Sequence, residues 1–168
     1  MNFMELTTAR YSCRKFTSQP VPEEKLNRIL SAGLNAPTAV NKQPFHIWVM
    51  KSEQAKEAVR SVTACHFGAE TFLVVGGEPE DGWIRTFDGY HFADVDAAIA
   101  ATHMMLAVTA QGLATTWVGC FDAPKLISLC PQMEGYNLIA IFPIGYPDEG
   151  PSPRHGERKN KSEIVSEI

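Results

Sequence analysis

Hydrophobic positions between Pro22 and Leu34 fall on one face of a helix, with Leu26, Ile29, Leu30 and Gly33 repeating at the spacing of its turns. Pro22 is harmless in the first turn, Glu23 and Glu24 favour the positive helix end, and Pro37 forces a stop. Residues 2–9 can form a short opening helix. The run Phe45-His46-Ile47-Trp48-Val49-Met50 predicts a buried strand, after which Ser52 caps a polar helix to about Ala64. Further strands are expected at Thr71–Val75, Thr115–Phe121 and Leu138–Ile144, the last ended by Gly145 and Pro147. Between the final two, Asp122 caps a short helix with Pro124 in its first turn.

The most apolar stretch begins at Asp94 or Asp96 and runs to about Gln111, with Gly112 as terminator. Ala97, Ala98, Ile99, Ala100, Ala101, Met104, Met105, Leu106, Ala107 and Val108 leave it almost no polar face, which predicts a helix buried on all sides. A chain this small buries such a helix most easily against a second subunit, so a homodimer is expected with this helix at or near the interface. Residues 76–92 carry Trp83, Phe87, Tyr90 and Phe92 among glycines, a loop too aromatic for an idle linker. It reads as a lid or as a surface packed on the partner. Helices and strands mix without a strict βαβ rhythm, giving the α+β class. No Gly-x-Gly-x-x-Gly follows a strand, and there is no internal repeat.

Composition narrows the function. The 168 residues suit one domain, 1–168, with a Pro-rich and then basic tail at 147–168, and 45% hydrophobic content supports a core. Net charge is -4 and the basic residues form no long stripe, which excludes a nucleic-acid backbone as the expected partner. No charged-then-apolar leader opens the sequence and the run Ala97 to Ala110 is too short to span a bilayer, so a soluble, cytoplasmic protein without a membrane partner is expected. Cys13, Cys65, Cys120 and Cys130 show neither Cys-x-x-Cys nor a paired histidine at ligand spacing. Reduced, mostly buried thiols and no metal are the expectation.

Two segments carry candidate chemistry. In Arg10-Tyr11-Ser12-Cys13-Arg14, two guanidinium groups flank a hydroxyl in an otherwise acidic chain, a donor set suited to phosphate. The same spacing also places two charges one turn apart on an exposed helix. In Ala36-Pro37-Thr38-Ala39-Val40-Asn41-Lys42-Gln43-Pro44, prolines fix a loop whose side-chain amides can read the polar edge of a planar heterocycle, or can satisfy a local helix-terminal turn.

Together, and in this order along the chain, the segments resemble the short form of the nitroreductase family of FMN-dependent oxidoreductases. Arg10 to Phe16 is similar to its phosphate motif, and Ala36 to Pro44 to its Pro-Ser-Ala-x-Asn-x-Gln-Pro-Trp loop. Gly112-Leu113-Ala114-Thr115-Thr116-Trp117-Val118-Gly119 is similar to the stretch beside the flavin ring, and Arg158-Lys159 to the C-terminal basic pair that returns to the phosphate. Tyr11 replaces a frequent arginine, Thr38 a serine, Phe45 a tryptophan and Asn160 a proline.

The resemblance implies a nitroreductase-like fold, a central mixed and mostly antiparallel sheet flanked by helices, in an intertwined homodimer with two FMN sites at its interface. One subunit supplies Arg10, Tyr11, Ser12, Arg14, Arg158 and Lys159 around the phosphate. The other brings Pro37, Thr38, Ala39, Asn41 and Gln43, while Trp117, Val118 and Gly119, with Cys120 nearby, lie beside the ring edge. The expected reaction is ping-pong transfer of hydride from NADH or NADPH through FMN to a small planar acceptor, a nitroaromatic, quinone or similar conjugated compound. No protein residue need be catalytic, because the flavin carries the chemistry. The alternatives are another flavin reaction (dehalogenation, enoate or oxazoline oxidation, or attack on the flavin itself), a flavin-binding module without turnover, and a domain whose basic residues are surface charge.

Several tempting residues have plainer readings. His46 and His103 are expected as core or interface histidines, and Met104 and Met105 as packing. Cys13 sits where two arginines could lower its pKa, but a spectator thiol is the simpler expectation. His91 and His155 lie in loops and are left open.

Overall fold

The computed structural model describes residues 1–168. Its elements in chain order are α1 (Phe3–Ala9), α2 (Glu23–Leu34), β1 (Phe45–Met50), α3 (Glu53–Val62), β2 (Thr71–Gly77), α4 (Ala93–Ala110), β3 (Ala114–Thr115), α5 (Ala123–Leu129), β4 (Asn137–Gly145) and α6 (Lys161–Ile164), with short 3-10 turns at Ala39–Asn41, Pro131–Met133 and Pro153–Gly156. The strands form one sheet in the order β1-β2-β4-β3, and every pairing is antiparallel. A lone parallel bridge, Ser12 to Thr115, joins the N-terminal segment to its edge.

Alternation along β2 divides the core in two. Phe72 and Val74 face a cluster with Trp48, Val59, Val62, Leu126 and Ile141, covered by α3 and α5. Leu73 and Val75 face the opposite cluster with Leu26, Ile29, Ala97, Ala101, Met104 and Phe142, covered by α2 and α4. Burying each such aliphatic side chain contributes about 1.5–3 kcal/mol, so the two faces share the stabilisation of the sheet.

Local chemistry accounts for several helix ends. The Ser52 hydroxyl accepts the N–H of Ala55 and the Asp122 carboxylate accepts that of Lys125, as the capping pattern predicts, and α5 keeps a proline in its first turn. Pro22 stands at the N-cap of α2, one position before the predicted first turn, and α3 stops at Val62, two residues short of Ala64. After α4, Gly112 takes φ 69°, a left-handed conformation that closes the helix without a Cβ clash.

Two sequence expectations need correction. The helix α4 begins at Ala93, with Phe92 at its N-cap, rather than at Asp94 or Asp96. Both aspartates lie in the first turn and bond elsewhere, Asp94 to the Asn137 amide and Asp96 to the Ala39 N–H. The predicted strand Thr115–Phe121 contracts to Ala114–Thr115, followed by an isolated bridge from Val118 to Ile141. Its partner β4 contains Pro143, which has no N–H to donate to a neighbouring strand, while the Pro143 carbonyl accepts the Thr115 hydroxyl. Within one chain α4 keeps a partly or fully open face along Val95, Ile99, Thr102 and Leu106, the side that a second subunit is expected to cover.

Close approach of backbone explains where α4 begins. A Cβ on Gly77 would stand 2.8 Å from both the carbonyl carbon and oxygen of Ala93, so the end of β2 can touch the start of α4 only through glycine. Asp96 is thereby placed one turn inward, beneath the 37–44 loop. No helix is long and apolar enough to cross a membrane.

Candidate functional site

The N-terminal basic motif is held along the sheet edge by backbone hydrogen bonds. Cys13 N–H donates to Thr115, Asp148 N–H to Lys15 and Thr17 N–H to Tyr146, which ties residues 12–17 to β3 and to the chain leaving β4. The Tyr11 hydroxyl donates to the Glu149 carbonyl at 2.7 Å, and the Arg14 N–H to the Glu149 carboxylate at 2.6 Å. These contacts bring the tail back to the motif. The Pro153–Gly156 turn then docks, with a His155 ring nitrogen 3.0 Å from the Thr8 carbonyl and its ring edge-on to Tyr11.

A cavity of about 410 Å³ opens between these segments, lined by Arg10, Tyr11, Ser12, Arg14, Ser152, Arg154, His155 and Arg158. No carboxylate lines it. Arg10, Arg14 and Arg158 form no ion pair, whereas the neighbouring Lys15 and Arg154 are paired to Asp148 and Glu157. The Arg158 guanidinium is oriented by the carbonyls of His155 and Glu157, both at 2.7 Å, and Arg14 by the carbonyl of Ser12. Three unneutralised guanidinium groups converging with hydroxyls in a chain of net charge -4 suit a phosphate, each such bond contributing about 1.5–3 kcal/mol.

Arg10, Tyr11, Ser12, Arg14 and Arg158, all expected around a phosphate, come together here. Lys159 does not line the cavity. Ser152, Arg154 and His155 do; the basic character of the tail signalled Arg154 and His155, and nothing in the sequence signalled Ser152. Cys13 is fully buried rather than poised, and burial, with the Glu149 carboxylate adding to it, raises its thiol against the lowering by hydrogen bonds with the backbone of Lys15 and Asp148 and with Tyr11. Of the other cysteines, Cys130 is buried, Cys65 half-buried and Cys120 exposed, so only two of the four match the expectation of burial; all four are free.

The second segment lies elsewhere in the same chain, and none of its residues lines the basic cavity. Its backbone is unusual: Val40, Asn41 and Gln43 all have positive φ, 47°, 58° and 56°. Holding non-glycine residues in this region costs on the order of 1 kcal/mol each, so the shape must be imposed by contacts. The Thr38 hydroxyl accepts the Gln43 N–H at 3.0 Å, Asn41 N–H bonds the Thr38 carbonyl, and the Gln43 amide reaches the Asn41 carbonyl. Asp96, beneath the loop, accepts the Ala39 N–H at 2.9 Å. Pro37 and Asn41 are exposed and Thr38 and Ala39 half-buried, leaving the loop accessible.

In the third segment the Trp117 ring packs edge-on against Phe142 and Val118 is buried, fixing the stretch to the sheet. A Cβ added at Gly119 would meet nothing within 4 Å, so the backbone there borders open space. Residues 82–92 fold back as a small hairpin with an Ile84–His91 bridge, in which Trp83 and Tyr90 each pack edge-on against Phe92. Phe87 stands at its tip, 95% exposed. His46, expected as a core or interface histidine, is exposed in the single chain and packs against Trp48 and edge-on to Tyr136.

Comparison with known proteins gives a consistent result. The family model described as "Nitroreductase family" matches residues 7–71 and 63–146. A solved nitroreductase family protein from Clostridium difficile 630 superposes with TM-score 0.92 at 34% identity, covering 99% of this chain and 98% of that one. An Exiguobacterium sibiricum 255-15 nitroreductase solved in complex with FMN shares the fold, with TM-score 0.85 at 18% identity over 100% and 98% of the two chains. Among relatives by sequence, an NADH dehydrogenase/NAD(P)H nitroreductase of Methanothermobacter thermautotrophicus is 28% identical over 92% of this chain and 82% of its own. Iodotyrosine deiodinase 1 of Rattus norvegicus is 22% identical over 97% and 68%. The antiparallel sheet with helices on both faces, the edge-mounted basic cavity and the match across residues 7–146 agree: the chain belongs to the nitroreductase family.

Proposed function

We propose that this protein is an FMN-dependent oxidoreductase that takes electrons from NADH or NADPH and delivers them to flat conjugated acceptors such as nitroaromatics and quinones. The observation that carries the proposal is the cavity in which Arg10, Arg14 and Arg158 converge with Ser12 and without a carboxylate. Its donor set fits the terminal phosphate of FMN, and the relative solved with FMN supports that guest. When bound, FMN supplies the hydride chemistry through its ring.

The chain's own residues bind and orient. Arg10, Ser12, Arg14 and Arg158 hold the phosphate, Arg154 and His155 add donors, and Tyr11 keeps the tail in place through Glu149. Pro37, Thr38, Ala39, Asn41 and Gln43 hold the polar edge of the ring from a second subunit, since in one chain they stand apart from the cavity. The backbone of Trp117, Val118 and Gly119 borders the ring where Gly119 leaves room. Phe87 and its hairpin cover the acceptor. In this arrangement no side chain serves as nucleophile or dedicated acid. The homodimer rests on the open apolar face of α4, and the four free cysteines fit a reducing compartment.

Reductive dehalogenation is the second reading, supported by the iodotyrosine deiodinase relatives. Anaerobic mixing of FMN-loaded protein with NADH or NADPH, followed by an acceptor screen, tests the assignment. Rapid loss of the yellow absorbance and its return with a nitroaromatic or quinone is the expected result. Absence of bleaching by either nucleotide contradicts the assignment, and reoxidation by a halophenol alone favours the second reading.

A further inference from the structure

We infer that Asp96 is a positioning residue for the flavin site, holding the 38–43 loop in its binding shape through the Ala39 N–H. The inference rests on the flavin reading above. Asp96 is 1% exposed, and its Oδ1 accepts the Ala39 N–H at 2.9 Å across 57 residues of sequence. Its Oδ2 is buried without a hydrogen-bond partner. A buried carboxyl with one oxygen unsatisfied is an expensive choice for packing alone, because an apolar side chain fills space without that cost.

What the carboxyl does contribute is an anchor. Val40, Asn41 and Gln43 have positive φ, so the loop relaxes unless both ends are held. The Thr38 hydroxyl closes the loop on itself through Gln43, and Lys42 reaches the Asp81 carbonyl at the surface. Only the Asp96 bond ties the loop to a helix from a buried position. That helix is set by the Gly77–Ala93 contact, so the carboxyl is rigidly placed before any ligand arrives. Asp96 touches no ligand in this account. It acts through Ala39, fixing where Thr38 and Asn41 present their polar groups.

The unpartnered Oδ2 also dictates the conservative variant. In Asp96→Asn an oxygen remains for the Ala39 N–H, and no bond within the chain is lost when the other oxygen becomes nitrogen. Asp96→Ala removes the acceptor. Ala39→Pro removes the donor and leaves Asp96 in place; proline suits the first position of the 3-10 turn, and Thr38 before it is already extended.

The test measures amide hydrogen exchange of residues 37–43 in FMN-free protein, and FMN affinity with the visible flavin spectrum in loaded protein. For Asp96→Ala and Ala39→Pro we expect exchange in the segment to quicken and FMN affinity to fall, each by about tenfold or more, with a changed flavin band shape, while Asp96→Asn stays near wild type. Unchanged exchange and affinity in Asp96→Ala overturn the inference, as does an Asp96→Asn variant that behaves like Asp96→Ala. Should Asp96→Ala not fold, Ala39→Pro against Asp96→Asn decides by the same readings. If wild-type protein takes up no FMN, the flavin reading fails, while the exchange comparison still decides whether Asp96 holds the loop.

Discussion

The hydroxyl of Tyr11 donates to the carbonyl of Glu149 at 2.7 Å, so a residue in the N-terminal basic motif fastens the tail that carries Arg154 and Arg158. One side chain thus links the two halves of the phosphate cavity. Tyr11→Phe keeps the ring and loses the bond, which is worth about 0.5–1.5 kcal/mol. The expected outcome is an FMN affinity lowered roughly threefold to tenfold with little change in Tm, read by quenching of flavin fluorescence.

Arg14→Ala and Arg158→Ala remove guanidinium groups that have no carboxylate partner to leave stranded. Fold stability should change by less than about 0.5 kcal/mol, as for exposed surface positions. FMN affinity should fall by about tenfold or more for each, and the loss should shrink at high salt. Equilibrium dialysis at low and high ionic strength measures both effects.

Gly77→Ala should damage the fold rather than the phosphate cavity. The new Cβ would lie 2.8 Å from the Ala93 carbonyl, a backbone contact that no rotamer change relieves. Overpacking of this kind costs about 1–3 kcal/mol, and thermal melting should show Tm lowered by roughly 3–10 °C.

The open face of α4 predicts assembly. Ile99 is half-buried in one chain and lies with Val95, Thr102 and Leu106 along the uncovered side. Ile99→Glu should convert a dimer to monomer in light scattering and remove FMN binding with it, because the 37–43 loop then lacks a partner cavity. A variant that stays dimeric and yellow would place the interface elsewhere.

Burial pushes the thiols of Cys13 and Cys130 and the phenols of Tyr11 and Tyr136 above their usual values. The folded chain therefore keeps protons that the unfolded chain has already released. Their stabilising contribution is complete below the ordinary thiol value of about 8.5 and is lost as pH rises through the raised folded values. Urea midpoints should stay level up to about pH 8 and decline above about pH 9, and Cys13→Ala with Cys130→Ala should make that decline shallower.

Much of this architecture is legible locally. Ser52 and Asp122 announce α3 and α5 because a cap needs only the next three residues, and Gly112 marks the end of α4 for the same reason. The start of α4 is less legible: Asp94 and Asp96 mark its first turn without fixing its first residue, and their bonds to Asn137 and Ala39 are set by distant parts of the chain. The short length of β3 is not legible either, because its pairing depends on β4, a strand that follows it in the chain and contains Pro143. In the site, Arg10, Ser12 and Arg14 stand close together in sequence, whereas Arg154 and His155 enter only through contacts with Glu157, Thr8 and Tyr11. The buried role of Asp96 depends on a bond across 57 residues and has no local signature.

The most direct test of the phosphate cavity compares FMN with riboflavin, which has the same ring and lacks the phosphate. Titration of flavin-free protein by fluorescence quenching should give FMN an affinity at least about a hundredfold above that of riboflavin, as expected when several charge-assisted bonds reach the phosphate. Equal affinities, or no binding of either flavin, would contradict the account.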